Sequence, residues 1–538
     1  MSDGEVWFTF ESSALDPDIF QVVRFTGEEA ISRPFRFEIE LVSARADIDL
    51  AAPLGRMASF GLRQEGGKGE RKIHGVVSAF EQRCSALEEE SHLYRAVLVP
   101  RLWQLSLGQG CRLHQDLSYP EIVERELLAE AERGPVSVSA ADLAAEDIEI
   151  ALSGSYPQRA YATQYDESDL DFITRLMEQE GLYFVFEQGE AKERLVIVDS
   201  NDRLPLAKQA LKLVFRAPYA EIAIAEESDG EASEEEKDGE ADESANGSAD
   251  DDEGETARRP QVGVWSFASA RRQPSHRLVL KDGGESALRA ESSIDERGRG
   301  VVALHDETFT EVGEGERLAR LRAEELICAS AGHSGESNAI QISAGCSLAL
   351  SGHPRRELDR AFLVTAVKHE GWQSRPGVPQ SEEEAESFLG YINAFTAIPA
   401  DLPYRPARTT PKPRIGGTIV ARIDDAAPGR LAEIDAQGRC KLVLPFDAAG
   451  AEGDRATRWV PLAQPYAGAQ QGLSTPLLKG SAVIVAFLDG DPDRPIVVGA
   501  LPSADDLSAG KDTQSGTRIV SIGGVAMDWQ DGSARGES

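Results

Sequence analysis

Cysteine is scarce in this chain. Five thiols, Cys84, Cys111, Cys328, Cys346 and Cys440, are spread over 538 residues with no C-x-x-C pair, which argues against both a disulfide framework and a zinc site. They read as reduced packing residues. Long apolar runs are lacking too: nowhere do 18 uncharged apolar residues stand together, and Met1 to Phe20 holds no basic region followed by an apolar one. Neither a membrane span nor a secretory signal is expected, so the chain is expected to start in the cytoplasm. Positive charge is short as well, with 56 Lys and Arg against 92 Asp and Glu, a formal net charge of −36. That sign repels phosphates and anionic lipid, which excludes a basic nucleic-acid groove and stable membrane insertion.

Catalytic signatures are also thin. No phosphate-cradling G-x-x-x-x-G-K-[ST] occurs. Gly332-His333-Ser334-Gly335-Glu336 ends in Glu where a nucleophile elbow needs Gly, and a turn or loop is expected there. His369-Glu370-Gly371-Trp372-Gln373 begins like a zincin helix but offers Gln where the second His is required. Asp489, Asp491 and Asp493 alternate as in a calcium loop, yet the Gly and the distal Glu are missing, so a turn is expected. The eight histidines, His74, His276 and His353 among them, are scattered and read as hydrogen-bonded structural residues. No catalytic, cofactor-binding or metal residue is assigned, and no cofactor is expected. The enzymatic alternative is a secreted hydrolase using His333, Ser334 and a carboxylate.

What is present is a set of short strands, a few helices and one extreme segment. With 41% apolar residues the chain can build several cores. From Glu226 to Glu255 there are sixteen Asp or Glu and one Lys, with almost no large apolar side chain; such a stretch cannot offset its ordering entropy, so a disordered acidic loop is expected at about 225–258. Phe35 to Leu41 alternates apolar and charged residues as a half-buried strand does, and Ile73 to Phe80 and Tyr94 to Leu98 look alike. Pro120 to Arg133 reads as a short amphipathic helix. Ser168 to Phe186 reads as a capped helix ended by Gly181 and followed at once by a strand. Its Met and aromatic stripe is core. Gly315 to Ala331 gives another helix and Phe362 to His369 another strand. Pro399 to Pro413 packs five prolines among basic residues and is taken as a domain boundary.

Beyond it, strands are expected at Gly417 to Ile423, Arg439 to Leu444, Trp459 to Ala463, Ala482 to Leu488 and Pro495 to Leu501. Five strands at this spacing suit a small closed barrel of OB type. The last two form a hairpin around Asp489-Gly490-Asp491-Pro492-Asp493. Gly516 to Trp529 suggests a short strand pair, and Gln530 to Ser538 a polar tail.

LDGDPDRPIVVG in that hairpin resembles the closing hairpin of the small barrel in VgrG, the spike family of bacterial type VI secretion. FTGEEAISRPFRFEIEL (Phe25 to Leu41), IHGVV (Ile73 to Val77), YDESDLDFITRLMEQEGLYFVFE (Tyr165 to Glu187), GERLARLRAEEL (Gly315 to Leu326), FLVTAVKHEG (Phe362 to Gly371) and YRPARTTPKPRIGGTIVARI (Tyr404 to Ile423) resemble the same family in the same order. The resemblance implies a mainly β (α+β) fold: hub-like β-barrel domains with short helices over 1–398, a Pro-rich linker at 399–413, an OB-fold barrel at 414–505 and a short β tip and tail at 506–538. It implies a homotrimer in which each chain supplies two similar barrels, so that three copies face a six-fold tube. It also implies Hcp-type tube hexamers, a PAAR-type tip protein, baseplate components and effector or adaptor proteins as partners, and delivery by secretion or injection after a cytoplasmic stage. A spike of an extracellular contractile injection particle or a phage-like tail is the structural alternative. No long needle and no fused toxic domain is expected after Pro502, and no internal sequence repeat is evident.

Overall fold

The computed structural model describes residues 6–64, 69–83, 91–128, 143–216, 262–282, 288–307, 309, 311–373, 390–424, 431–446, 459–464, 477–501, 517–520, 526–530 and 533–537. The acidic run 226–255 lies outside them. By contact, the chain forms two compact units, one of residues 1–108, 118–157 and 168–411, the other of 109–117, 158–167 and 412–538.

Alternation builds the start of the first unit. Strands β1 (Val6–Ser12), β2 (Gln21–Ala30), β3 (Arg33–Ser43), β4 (Met57–Gln64), β5 (Glu70–Arg83) and β6 (His92–Val99) pair antiparallel in the order β1-β4-β5-β6-β3-β2. In β3 the expected face is buried, with Phe37, Ile39 and Leu41 fully enclosed. Phe8, Phe25, Phe37 and Phe60 meet inside; the Phe25 and Phe60 rings pack edge to face with centroids 4.7 Å apart. Gly27 faces Phe37 across the β2–β3 ladder, and a Cβ there would lie 2.3 Å from the ring. Only glycine lets the ring settle over the neighbouring backbone.

The outer strands β1 and β2 of this set are joined by a side chain from elsewhere in the chain. Gln373 Nε2 donates to Phe8 O at 3.2 Å and to Val22 O at 2.9 Å, and its backbone N–H donates to Val23 O. Six strands are thereby brought into a ring.

Next come β7 (Gln109–His114), α1 (Tyr119–Leu128), β8 (Ile148–Ala151), β9 (Ala162–Ser168), α2 (Asp169–Glu180), β10 (Tyr183–Gln188) and β11 (Glu193–Val198). Helix α1 starts where the sequence suggests, and its expected final residues 129–133 lie outside the described ones. Helix α2 has the expected ends: Ser168 Oγ accepts from Asp171 N at 3.0 Å, and Gly181 takes a left-handed φ of 72°.

A second ring follows. Its strands are β12 (Leu211–Val214), β13 (Val264–Ser269) and, after an insert of β14 (Arg277–Asp282), β15 (Arg289–Ser293), β16 (Val301–Glu307) and α3 (Val312–Ser330), the four strands β17 (His333–Ser337), β18 (Ser347–Ser351), β19 (Ala361–Trp372) and β20 (Tyr391–Pro399). Pairing runs β19-β20-β17-β13, the Phe215–Val264 bridge carries it on toward β12, and β12-β18-β19 completes the ring. The two rings share one continuous sheet through the β2–β19 ladder. Gly335 repeats the Gly27 device: it faces Phe395 on β20, and a Cβ would lie 2.5 Å from that ring. Residues 333–337 are thus a strand and not the expected turn, because hydrogen-bonded neighbours on both sides outweigh local Gly and Ser preference. In the insert, α3 packs Leu318, Ala319 and Ala323 onto Leu278, Leu280 and Ala290.

The second unit contains β21 (Thr418–Ile423), β22 (Arg439–Cys440), β23 (Leu442–Val443), β24 (Val460–Pro461), β25 (Ala482–Phe487) and β26 (Pro495–Leu501). β22 and β23 are one strand interrupted at Lys441. Taken so, the order is closed: β23-β21-β25-β26, a parallel Leu462–Val497 bridge, then β24-β22. Five strands with four antiparallel contacts and one parallel contact, between the third and fifth strands, are OB topology. Ile423, Leu442, Val460, Val483, Val485 and Val497 fill it. Near the C-terminus, β27 (Thr517–Val520), β28 (Ala526–Gln530) and β29 (Ser533–Glu537) form a three-stranded sheet. The expected polar tail therefore contains a third strand, since β28 offers it an open edge.

Candidate functional site

A heavily built polar site is the joint between the two rings. Arg71 on β5 pairs with Glu29 on β2 and donates to Ile340 O (3.4 Å) and Ile342 O (3.1 Å) in the loop after β17. Glu29 Oε1 lies 3.1 Å from His369 Nε2 on β19, a contact off the ideal hydrogen-bond line; His369 Nδ1 meets the Tyr391 hydroxyl at 2.7 Å. Asn393 Nδ2 donates to that hydroxyl and to Ala339 O. With Glu29 ionised, the imidazole proton sits on Nε2 and Nδ1 accepts from Tyr391. The chain of contacts runs unbroken from β5 to β20 and ties the first ring to the second.

Burial alone would push the Glu29 carboxyl up, but the Arg71 guanidinium and the His369 contact outweigh it and hold the group at about 2. Burial holds the His369 imidazole below its ordinary value, with the Glu29 contact opposing. Carboxylate, imidazole and hydroxyl in series have the order of a proton relay. Tyr391 and His369 are 1% and 2% exposed, however, so a substrate has no approach to the hydroxyl. The arrangement is a structural joint.

A second set of ion pairs secures the Pro-rich stretch. Arg405 Nε pairs with Glu324 at 2.7 Å and its Nη1 donates to Asp199 O. Arg408 reaches Glu307 at 2.7 Å and Glu325 at 3.2 Å, and Arg322, buried in α3, meets Glu307 from the other side. Thr409 and Thr410 donate to Glu178. Residues 404–410 lie as a strap along α2 and α3. Nothing in their spacing announces this, because the partners come from four separate segments.

The sequence motifs resolve clearly. Asp491 and Asp493 do converge on a cation, but it is Lys412 Nζ, at 2.6 and 2.7 Å. An ammonium takes the place a calcium ion would need, and Asp489 stands in a left-handed turn conformation (φ 55°). Among the described residues no group of three His, Cys, Asp or Glu is placed to hold a metal. His333 and Ser334 are successive strand residues, so they project to opposite faces. His333 instead meets Ser269 Oγ at 3.3 Å and Ala331 O at 3.1 Å. Burial, then Arg271 and Arg360, hold its imidazole below the ordinary value, the reverse of the carboxylate support a nucleophile's base requires. His369 is in the joint and Gln373 is the seam residue. Burial raises the thiols of Cys346, Cys328 and Cys440, the last two to about 11; the four described cysteines are free, as packing residues are, and Cys84 lies outside the described residues.

Two six-stranded rings sharing a sheet, with an OB barrel after them, define a hub of the contractile-tail injector class. The comparisons agree. The phage tail baseplate hub (GPD) pattern matches residues 28–375, and the type VI secretion system/phage-baseplate injector OB domain matches 428–501. The chain belongs to the phage tail baseplate hub (GPD) family, and the VgrG resemblance holds. It is 31% identical to the type VI secretion system spike protein VgrG5 of Pseudomonas aeruginosa, over 93% of this chain and 58% of that one, and 29% identical to VgrG1b of the same organism, over 95% and 63%. The chain thus spans about three-fifths of the length of these relatives. Among solved structures it is similar to a type VI secretion component of E. coli, itself described as structurally similar to the T4 bacteriophage tail proteins gp27 and gp5, with a TM-score of 0.61 at 21% identity over 92% of this chain and 100% of that one. A Francisella PdpA–VgrG complex gives a TM-score of 0.58 at 9% identity, over 99% and 76%. These two likenesses establish the fold.

Proposed function

We propose that the chain is the spike subunit of a type VI contractile injection apparatus, acting as a homotrimer that caps a hexameric tube and enters the target envelope ahead of effectors. The observation that carries this is the duplication: one chain holds two six-stranded rings side by side, each with a Gly–Phe cross-strand pair. Three chains bring six such rings, which matches a six-fold partner without any chain being used twice. The outside of the OB barrel supports self-association. Val420 and Val498 are 53% and 46% exposed, Ile484 between them is half-buried, and the three come from adjacent strands. A second copy of the chain is their natural cover.

The domain limits assigned from the sequence, 1–398, 399–413, 414–505 and 506–538, belong to this reading. So do the Hcp-type tube, a PAAR-type tip protein, baseplate components and effector or adaptor proteins as partners, and a cytoplasmic stage before firing. The role is mechanical and involves no turnover by this chain; the separation of Ser334 from His333 supports that part. Native mass spectrometry of the chain mixed with a hexameric tube protein tests it. Three chains per hexamer are expected, and a one-to-one complex of single chains sinks the reading.

A further inference from the structure

The outward face of the shared sheet carries a trough whose two ends hold opposite, uncompensated charge. Phe37, Tyr391, Phe395 and Phe267 point into the two cores, so the alternate residues of β2, β19, β20, β17 and β13 point out. The ladder registers set these in two neighbouring rows: Glu28, Lys368, Ala394 and Glu336 in one, and Ala30, Ala366, Thr396, Ser334 and Ala268 in the next. The second row has only small side chains. It makes a floor four strand spacings wide, roughly 19 Å, to which another chain can come close. A lobe of about 660 Å³ opens over the first row and one of about 530 Å³ over the second.

Most charges lining the two lobes are answered locally. In the first, Glu28 pairs with Lys368, Glu370 with Arg24 and Glu38 with Arg36. Glu336 has no cation among the described residues; its carboxylate accepts from Trp265 Nε1 at 3.2 Å, and Trp265 stands in the bulge of β13. A carboxylate beside an indole suits an ammonium or guanidinium. In the second lobe Glu325 pairs with Arg408, Arg405 pairs with Glu324, and Glu178 accepts from Thr409 and Thr410. Arg33 at the start of β3 and Arg272 after β13 line that same lobe, are exposed, and make no ion pair among the described residues. Arg272 follows Ser266, the cross-strand partner of Glu336, by six residues, so the two ends are at most roughly 20 Å apart.

We propose that the trough docks an extended segment of a partner protein that carries Lys or Arg at one end and Asp or Glu about four to six residues away. The cation lies against Trp265 and Glu336, the carboxylate reaches Arg33 and Arg272, and the segment between them crosses the small-residue floor. A uniformly acidic or uniformly basic segment meets like charge at one end, so the trough selects by charge order as well as by shape. The inference needs only the first unit of a single chain and stands apart from the spike reading.

The test selects a phage-displayed library of random dodecamer peptides on the full chain at low salt. Two charge-reversed chains, Glu336→Lys and the double variant Arg33→Glu with Arg272→Glu, serve as comparisons once their mass in solution and thermal unfolding match the original. Enriched peptides are expected to share a basic and an acidic residue at the stated spacing. A synthetic copy of one should bind each reversed chain roughly fivefold or more weakly, and the same peptide with its basic residue changed to Glu should bind Glu336→Lys better than the original chain. No enrichment, enriched peptides without the charge pair, or binding indifferent to both reversals overturns the proposal. Phenylglyoxal labelling of the chain alone, read by peptide mass spectrometry, checks for a resident occupant: Arg33 and Arg272 should react as fast as Arg63, exposed on β4. Slow reaction means that another copy or another part of the chain already covers the lobe, and overturns the assignment to a partner protein.

Discussion

The first and second rings follow one plan with different contents. The first uses strands of 7 to 14 residues and an interior of interlocked phenylalanines. The second uses strands as short as four residues, and takes all of 217–261 and the β14–β16 and α3 insert between its strands. Their seams differ as well. A Gln373 side chain joins β1 to β2 in the first, while main-chain groups around the Phe215–Val264 bridge close the second. The difference teaches that the ring geometry is what both halves preserve. Sequence within it varies as long as a glycine leaves room for one cross-strand ring.

The largest disturbance should come from cutting the joint between the rings. Arg71→Met leaves Glu29 buried beside a neutral imidazole, and removing one partner of a buried pair costs about 3–5 kcal/mol; urea unfolding of the first unit should show it, and a loss below about 1 kcal/mol means the joint is dispensable. Acid should act on the same place. The Glu29 carboxyl at about 2 in the fold against 4.5 as its ordinary value contributes stability that is present above about pH 4.5 and lost as pH falls toward 2, worth about 3 kcal/mol. His369, held below its ordinary 6.5, adds destabilisation as pH drops below that value, because the unfolded chain takes up the proton first. Glu29→Gln should therefore flatten the acid limb of the stability curve; an unchanged limb contradicts the assignment.

Matched substitutions sharpen the comparison directly. Gly27→Ala and Gly335→Ala each force a methyl against a phenylalanine ring and should each cost about 1–3 kcal/mol. Calorimetry giving a large penalty in one ring and none in the other breaks the equivalence. Gln373→Ala is the mildest, about 1–2 kcal/mol for two carbonyls left unmet. Its signature is local: faster amide exchange in β1 with β13 unchanged.

Much of this was readable beforehand, and the reason is locality. The hairpin of β25 and β26, the capped α2 and the alternating β3 depend on residues next to one another in sequence, so their patterns survive in the string. The doubled ring does not, because Phe37 and Phe395 mark equivalent places with no shared wording around them. The joint is equally hidden: Glu29, Arg71, His369 and Tyr391 are ordinary residues until the β2–β19 ladder brings them together. The zincin-like and calcium-like strings illustrate the converse. Gln373, read as a missing zinc ligand, is a seam closure, and the aspartates read as a turn also hold Lys412, whose distance in sequence concealed it. Gly332 to Glu336 reads as a turn because Gly and Ser carry local signals, which the two strands flanking His333–Ser337 override.

The proposed function rests on three chains presenting six rings. Multi-angle light scattering of the purified chain measures that most directly: a particle of three times the 58.2 kDa chain mass is the expected result, and a monomer at micromolar concentration would contradict it.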